Sequence, residues 1–274
     1  MPASRHATSR TATSARSPSR ASGPSRTRRS SSRRRKTVGF NDLELSERLL
    51  IARRGTAYLS QRLAELTDDE LAGPTLLDGW TRQHLTAHIG YNAAALCRLM
   101  DWAATGVETP MYASTEQRAQ EIAEGATLSP AALRNLFAHT VARLDEKWRH
   151  LPESAWQAQV RTAQGRLVPA EETVWMRTRE VWIHAVDLDN GGRFGDFPKV
   201  VLESLLDDIV GMWRKKELGA GIALEVDGGS TIAVTPDAEP IHVVRGSLPA
   251  VVRWAAGRGA VGVEGGDLTP PRWL

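Results

Sequence analysis

The sequence predicts a mainly α protein, with a four-helix bundle over residues 40–192 followed by a small α+β C-terminal domain over residues 193–274. Four long stretches within the first region carry apolar side chains at helical spacing and begin or end at good capping residues. Four long helices in roughly 150 residues bury their apolar faces most simply against one another. After Gly195 the pattern changes to one amphipathic stretch and then to short strand-like runs separated by Gly, Asp and Pro.

The first helix is expected over residues 42–66, where Leu45, Leu49, Ala52 and Leu59 recur at helical spacing. Asp78-Gly79 makes a turn, and Thr81 then caps a second helix running to about Ala104. Residues 114–125 form a short helix. Ser129-Pro130 is an N-cap followed by a proline at the first helical position, where a missing N–H is harmless, and that helix runs through His150. Pro169 is expected to open the fourth long helix, which ends before Asn190-Gly191-Gly192. Residues 198–217 read as an amphipathic helix, and 222–226, 231–235 and 241–245 as strands. Ser247 caps a last helix that stops at Gly257-Arg258-Gly259.

A composition of 41% hydrophobic and 24% charged residues lies in the globular range. The formal net charge of +3 conceals a division. Residues 1–36 hold ten Arg, one Lys and no acid, so the rest of the chain sets 24 basic against 32 acidic side chains, a net −8. Residues 1–39 contain almost no large apolar side chain, cannot offset their ordering entropy, and read as a disordered Arg/Ser-rich extension. Nucleic-acid binding could be argued only for residues 1–36, and that stretch has no aromatic residue on which a base would stack. The single cysteine, Cys97, excludes an intrachain disulfide and fits a cytoplasmic location. No apolar run approaches the roughly 18 residues that a membrane span needs. Arg33-Arg34 is followed by the charged segment 41–47 rather than an apolar signal core, which argues against export.

The chemistry concentrates on two helices. At about 100° per residue, Arg177, Glu180, His184 and Asp187 share one narrow stripe of the fourth long helix, among apolar neighbours. Glu180 and His184, four apart, can reach one ion; the competing reading is a solvated face held by ordinary side-chain pairs. On the second helix His88 lies in line with Leu85, Asn92, Ala95 and Leu99. Facing stripes of this kind build metal sites inside bundles, and two histidines with one carboxylate is the ligand set of a catalytic zinc. His84 is the rival to His88, but it sits about 40° off the stripe. There is no HExxH and no CxxC, which excludes the ordinary zinc-protease and zinc-finger patterns.

These residues stand in longer blocks. Gly79-Trp80-Thr81-Arg82-Gln83-His84-Leu85-Thr86-Ala87-His88, with Tyr91-Asn92-Ala93 and Thr109-Pro110-Met111-Tyr112, resembles the first metal block of the DinB-like bundles. Residues 179–188, Arg-Glu-Val-Trp-Ile-His-Ala-Val-Asp-Leu, resemble the second. Trp254-Ala255-Ala256-Gly257-Arg258-Gly259 and Pro270-Pro271-Arg272-Trp273-Leu274 are similar to the end of the mycothiol-dependent maleylpyruvate isomerases. The resemblance runs from about residue 40 to the end. It implies metal ligands at His88, Glu180 and His184, a functional arginine at Arg258 and a second at Arg118. It also implies zinc or another divalent metal, mycothiol as the low-molecular-weight thiol, and a small-molecule substrate.

The reaction so implied is the cis-to-trans isomerisation of maleylpyruvate to fumarylpyruvate in gentisate breakdown, by reversible addition of a thiolate to the double bond. Cys97 is nine residues from His88, about half a turn round the helix, and reads as a small buried hydrophobe rather than the nucleophile. Two alternatives remain at this point: a mycothiol S-transferase acting on another electrophile, and a non-enzymatic zinc-binding regulator whose basic extension binds nucleic acid. Deletion of residues 1–38 is expected to leave the steady-state rate of isomerisation unchanged; a large loss would give the extension a part in catalysis.

Overall fold

The computed structural model describes residues 38–229, 231–236 and 239–273. Apart from Val38 and Gly39, the extension expected over residues 1–39 lies outside them. The bundle consists of α1 (Leu45–Ala64), α2 (Arg82–Thr105), α3 (Thr115–Gly125), α4 (Pro130–His150) and α5 (Glu172–Asp187), of which α3 is the short one. Side-chain oxygens cap three of them. Thr81 accepts the His84 amide, Ser114 that of Gln117 and Ser129 that of Ala132, each satisfying a donor that the helix itself leaves unpaired. Gly106, at φ 74°, closes α2 in the left-handed conformation that a glycine adopts without strain.

The sequence misplaces the start of α5. Pro169 does not open it but ends strand β2 (Leu167–Pro169), which pairs antiparallel with β1 (Gln159–Arg161), and α5 begins at Glu172. The ladder seats Val160 opposite Val168, both buried. Three-residue strands are too short to show alternation in a sequence, and a proline is tolerated at the end of such an isolated pair.

α1 packs along α5, and α4 along α2, which also touches α5. The α1–α5 approach depends on Gly55. A Cβ there would lie 2.5 Å from Trp182 Nε1 and 2.7 Å from Val181 Cγ2. Trp182 is buried and donates to Ile51 O at 3.3 Å, so it cannot move aside cheaply. Gly55→Ala gains about 1 kcal/mol of helix propensity, but overpacking of this kind costs about 1–3 kcal/mol. With contacts this short the cost lies at the upper end, and the expected net loss is roughly 2 kcal/mol, a thermal midpoint lower by about 4–8 °C. A variant that melts at or above the parent temperature would refute this account of the helix contact.

The C-terminal part contains α6 (Lys199–Lys215), β3 (Ile222–Val226), β4 (Ile232–Ala233), β5 (His242–Gly246), α7 (Leu248–Ala255) and β6 (Val263–Glu264). The sheet order is β4-β3-β5-β6, with β3 and β5 parallel and the outer pairs antiparallel. The strand β6 has only two residues and leaves no periodic signal in the sequence. Buried Trp213 of α6 and Trp254 of α7 meet edge-on at 6.2 Å. Their indole N–H groups hold the last segment of chain, Trp213 on Pro271 O at 3.0 Å and Trp254 on Leu268 O at 3.1 Å. The buried apolar side chains of the bundle and the C-terminal part join in one cluster. The fold is therefore mainly α, a four-helix bundle followed by a small α+β part, and this packing carries the loop after α7 up to the end of α5. Among the described residues no helix is long and apolar enough to cross a membrane.

Candidate metal centre

Helix α2 contributes His88, and α5 contributes Glu180 and His184 one turn apart. His88 Nε2 lies 2.9 Å from Glu180 Oε2, and His184 Nε2 lies 3.2 Å from the same oxygen. The two imidazoles meet edge to face at 5.1 Å, and Trp80 packs edge-on to His88 at 5.4 Å. The side chains of His88, His184 and Glu180 are 6%, 13% and 25% exposed, so the cluster is largely shielded, with Glu180 the most open of the three.

One ligand atom from each of the three residues can be chosen so that all lie within 4.8 Å of one another. Donors about 2.0 Å from a tetrahedral zinc stand about 3.3 Å apart, close to both carboxylate contacts. His184 Nδ1 is held by Asp187 Oδ2 at 2.8 Å, which fixes the ring with Nε2 toward Glu180. Metal-binding histidines are oriented in this way, by a carboxylate on the nitrogen that does not coordinate. The residues present therefore fit a divalent ion held by two imidazoles and one carboxylate, three ligands that leave a tetrahedral ion one position for an exogenous ligand.

Asp187 is fully buried, and Arg258 grips it with Nε to Oδ1 and Nη2 to Oδ2, both at 2.9 Å. Arg258 Nη1 donates to Ala256 O. Burial alone would raise the Asp187 pKa, but the bonds from Arg258 and His184 hold it below the ordinary aspartate value. For His184 burial opposes the charge, but the bonds to Asp187 and Glu180 prevail and its pKa is pushed up to about 9. Burial likewise opposes the charge on Glu180, and the bonds from His184 and His88 hold its carboxyl well below the usual range. Burial outweighs the Glu180 bond at His88 and lowers its pKa, leaving that ring neutral. With no ion bound, His184 thus holds its second proton more readily than His88, and an ion taken up at His184 Nε2 would displace that proton.

Sequence reasoning placed Arg118 near the site on resemblance alone. In the fold, α3 brings its Nη2 to 3.4 Å from His88 Nδ1. Tyr112, to which the sequence gave no role, lies between two cations, with Arg118 5.8 Å and Arg98 5.7 Å from its ring centre. Arg98 Nε is itself anchored on Met111 O at 2.8 Å. Arg258, on the loop after α7, extends from the C-terminal part to the bundle and ends on Asp187. His84 stays outside the cluster, because its Nδ1 sits 2.8 Å from Thr81 Oγ1 in the cap of α2. The α5 stripe is not a solvated face, since Arg177 is 1% and Asp187 0% exposed. Burial raises the pKa of Cys97, and the charges that act on it are those of Arg143, Asp101, Lys147 and Arg177, none of them in the cluster.

Residues 52–189 match the family model of the mycothiol maleylpyruvate isomerase N-terminal domain. The crystal structure of a mycothiol-dependent maleylpyruvate isomerase is 51% identical, covers 86% of this chain and 99% of that chain, and superposes with a TM-score of 0.83. The chain belongs to the mycothiol maleylpyruvate isomerase family. A histidine-to-alanine mutant of the mycothiol-dependent maleylpyruvate isomerase matches with the same identity, coverage and TM-score. The Bacillus subtilis four-helix-bundle protein YfiT is 19% identical over 53% of this chain and 85% of its own, with a TM-score of 0.43, too distant to bear on the site. No curated protein sequence matches the chain. All three donors fall inside the segment that matches the maleylpyruvate isomerase N-terminal domain, whereas Arg258, which holds Asp187, lies beyond it.

Proposed function

We propose that the chain catalyses the mycothiol-dependent isomerisation of maleylpyruvate to fumarylpyruvate in gentisate breakdown, in the cytoplasm. The observation that carries this reading is the convergence of His88 from α2 with Glu180 and His184 from α5, in a chain of this family. His88 Nε2, Glu180 and His184 Nε2 would hold the ion, with zinc the first choice for two imidazoles and a carboxylate. When bound, it supplies charge that favours the thiolate of mycothiol, a gain of at most about 30-fold because a thiol of pKa near 8.5 is about 3% ionised at pH 7. A cis double bond cannot turn while it keeps its π character, and mycothiol, when bound, would supply a sulfur nucleophile whose reversible addition leaves a single bond there.

The protein's own residues account for the rest through position and charge. The substrate is a dianion, and arginines suit its carboxylates. Arg118 loses its acceptor on His88 when the ring proton sits on Nδ1, the tautomer that leaves Nε2 free to coordinate, and its guanidinium then turns to a substrate carboxylate. Tyr112 keeps that guanidinium over its ring and limits how far it can swing. Arg258 directs three N–H groups to Asp187 and Ala256 O and retains two for the substrate. Through Asp187 it also fixes the tautomer of His184. Trp80 screens His88 from water.

The test is the conversion of maleylpyruvate by the metal-loaded protein with and without mycothiol, followed by loss of the enol absorbance. Turnover is expected only with mycothiol. Rapid turnover without any thiol, or none with mycothiol present, would overturn the assignment.

A further inference from the structure

The end of α7 builds the loop that carries Arg258. Gly257, at φ 76°, is left-handed, and its N–H donates to Trp254 O at 2.8 Å. The N–H of Arg258 reaches further back, to Arg253 O at 3.0 Å. These two bonds close a helix on a glycine, and the residue after that glycine is tied to the last turn. Arg258 is that residue.

This closure fixes the N–H of Arg258 and leaves its carbonyl to another donor. Arg253, half-buried in the last turn of α7, supplies it, with Nε 2.7 Å from Arg258 O. One residue thus holds Arg258 at both ends, its backbone oxygen taking the N–H and its side chain taking the C=O. The Nη2 of Arg253 continues along the loop, 3.9 Å from where a Cβ on Gly259 would stand. Gly259 is at φ 92°, so left-handed glycines flank Arg258 on both sides. Glycine has the most backbone freedom to lose, and the Arg253 bond removes freedom at this point.

The side chain of Arg258 needs that restraint. Its two-point grip on Asp187, at 2.9 Å in both bonds, tolerates little tilt. Among the described residues Arg253 makes no bond to Asp187 or to the three metal donors. We propose that Arg253 is a positioning residue of the isomerisation, acting through Arg258. Its Nε bond to Arg258 O steadies the loop, so that the Arg258 guanidinium stays on Asp187 and keeps its remaining N–H groups toward the substrate. The role in turnover rests on the isomerase reading; the hold on the loop does not.

Two substitutions separate the bond from the charge. Arg253→Gln keeps an amide donor at the chain position of Nε but no charge, and Arg253→Met keeps the stem without a donor. In the metal-loaded protein, turnover of maleylpyruvate is expected to fall about fivefold in the methionine variant, the measure of one neutral hydrogen bond. It should stay near parental in the glutamine variant, with metal content unchanged in both. In an Arg258→Ala background the methionine substitution should cost no further turnover. The loop is read without substrate by nitrogen-15 NMR of arginine Nε–H groups, the Arg258 signal being the one missing from Arg258→Ala. Its exchange with water is expected to be slow in the parent and the glutamine variant, and at least about tenfold faster in the methionine variant. Arg253→Ala serves if the methionine variant fails to fold, as judged by circular dichroism. Parental turnover in the folded variant without a donor overturns the proposal, as does unchanged exchange. Equal losses in the glutamine and methionine variants overturn it too, as does a full loss that persists in the Arg258→Ala background. A parent that does not isomerise maleylpyruvate sinks the functional reading alone, and exchange at Arg258 Nε–H then decides whether Arg253 holds the loop.

Discussion

His88→Ala is expected to lose the metal and the activity together. His88 is the only donor from α2, and its truncation leaves Glu180 and His184 on α5 alone, a pair too sparse to hold a divalent ion firmly. Removing a group that merely orients a ligand costs 10–100-fold in affinity, so loss of the ligand itself is expected to exceed about 100-fold. The fold should survive, because alanine is the best helix former and the other buried positions of α2 are untouched. Metal content and maleylpyruvate turnover, measured on one purified sample, decide the matter. Full turnover in metal-free His88→Ala protein would sink the assignment of the centre.

Arg258→Ala is expected to lower stability and turnover at once, because the arginine neutralises a carboxylate that has no access to water. With Arg258 gone, Asp187 keeps only His184 as a charged partner. Breaking a buried pair from one side costs about 3–5 kcal/mol. The remaining histidine moderates this, and a loss of about 3 kcal/mol corresponds to a midpoint lower by about 6–12 °C. The deficit should depend on pH. The folded pKa of Asp187 is depressed, so its stabilisation is present above the unfolded value of about 3.9 and is lost as pH falls through the lower folded value. The gap between parent and variant should therefore be full at neutral pH and close in acid below about pH 4. Turnover should fall about 10–100-fold, up to about 2.7 kcal/mol of barrier, as Asp187 is held less firmly against His184 and the free N–H groups of Arg258 are lost to the substrate. Arg258→Lys keeps the charge but not the two-point grip, and should recover stability more than rate. A variant with parental melting and parental turnover would remove Arg258 from the site.

Much of this was legible beforehand, and the exceptions have physical causes. Thr81 and Ser129-Pro130 mark helix starts because their side chains must answer unpaired amides, and that need is local. The pairing of Glu180 with His184 is likewise fixed by the helical repeat. Whether their stripe faced water or α2 was not fixed, because a polar stripe reads alike in both settings. The 40° offset of His84 pointed correctly away from the cluster, but its bond to Thr81 became visible only in the fold. Asp187 stood on the stripe without a role, since its partner is 71 residues away in sequence. The β1–β2 pair and β6 were too short to show a period.

The grip of Arg258 on Asp187 makes the two halves of this polypeptide unequal partners in any recombination. A chimera that joined this bundle to a tail without a cation at that spot would trap an anion in its interior. Such a swap becomes tolerable only if Asp187 turns neutral in the same event, for instance as asparagine. The acid and the base are therefore expected to be inherited as a couple, and exchanging modules between relatives should succeed or fail according to whether both travel.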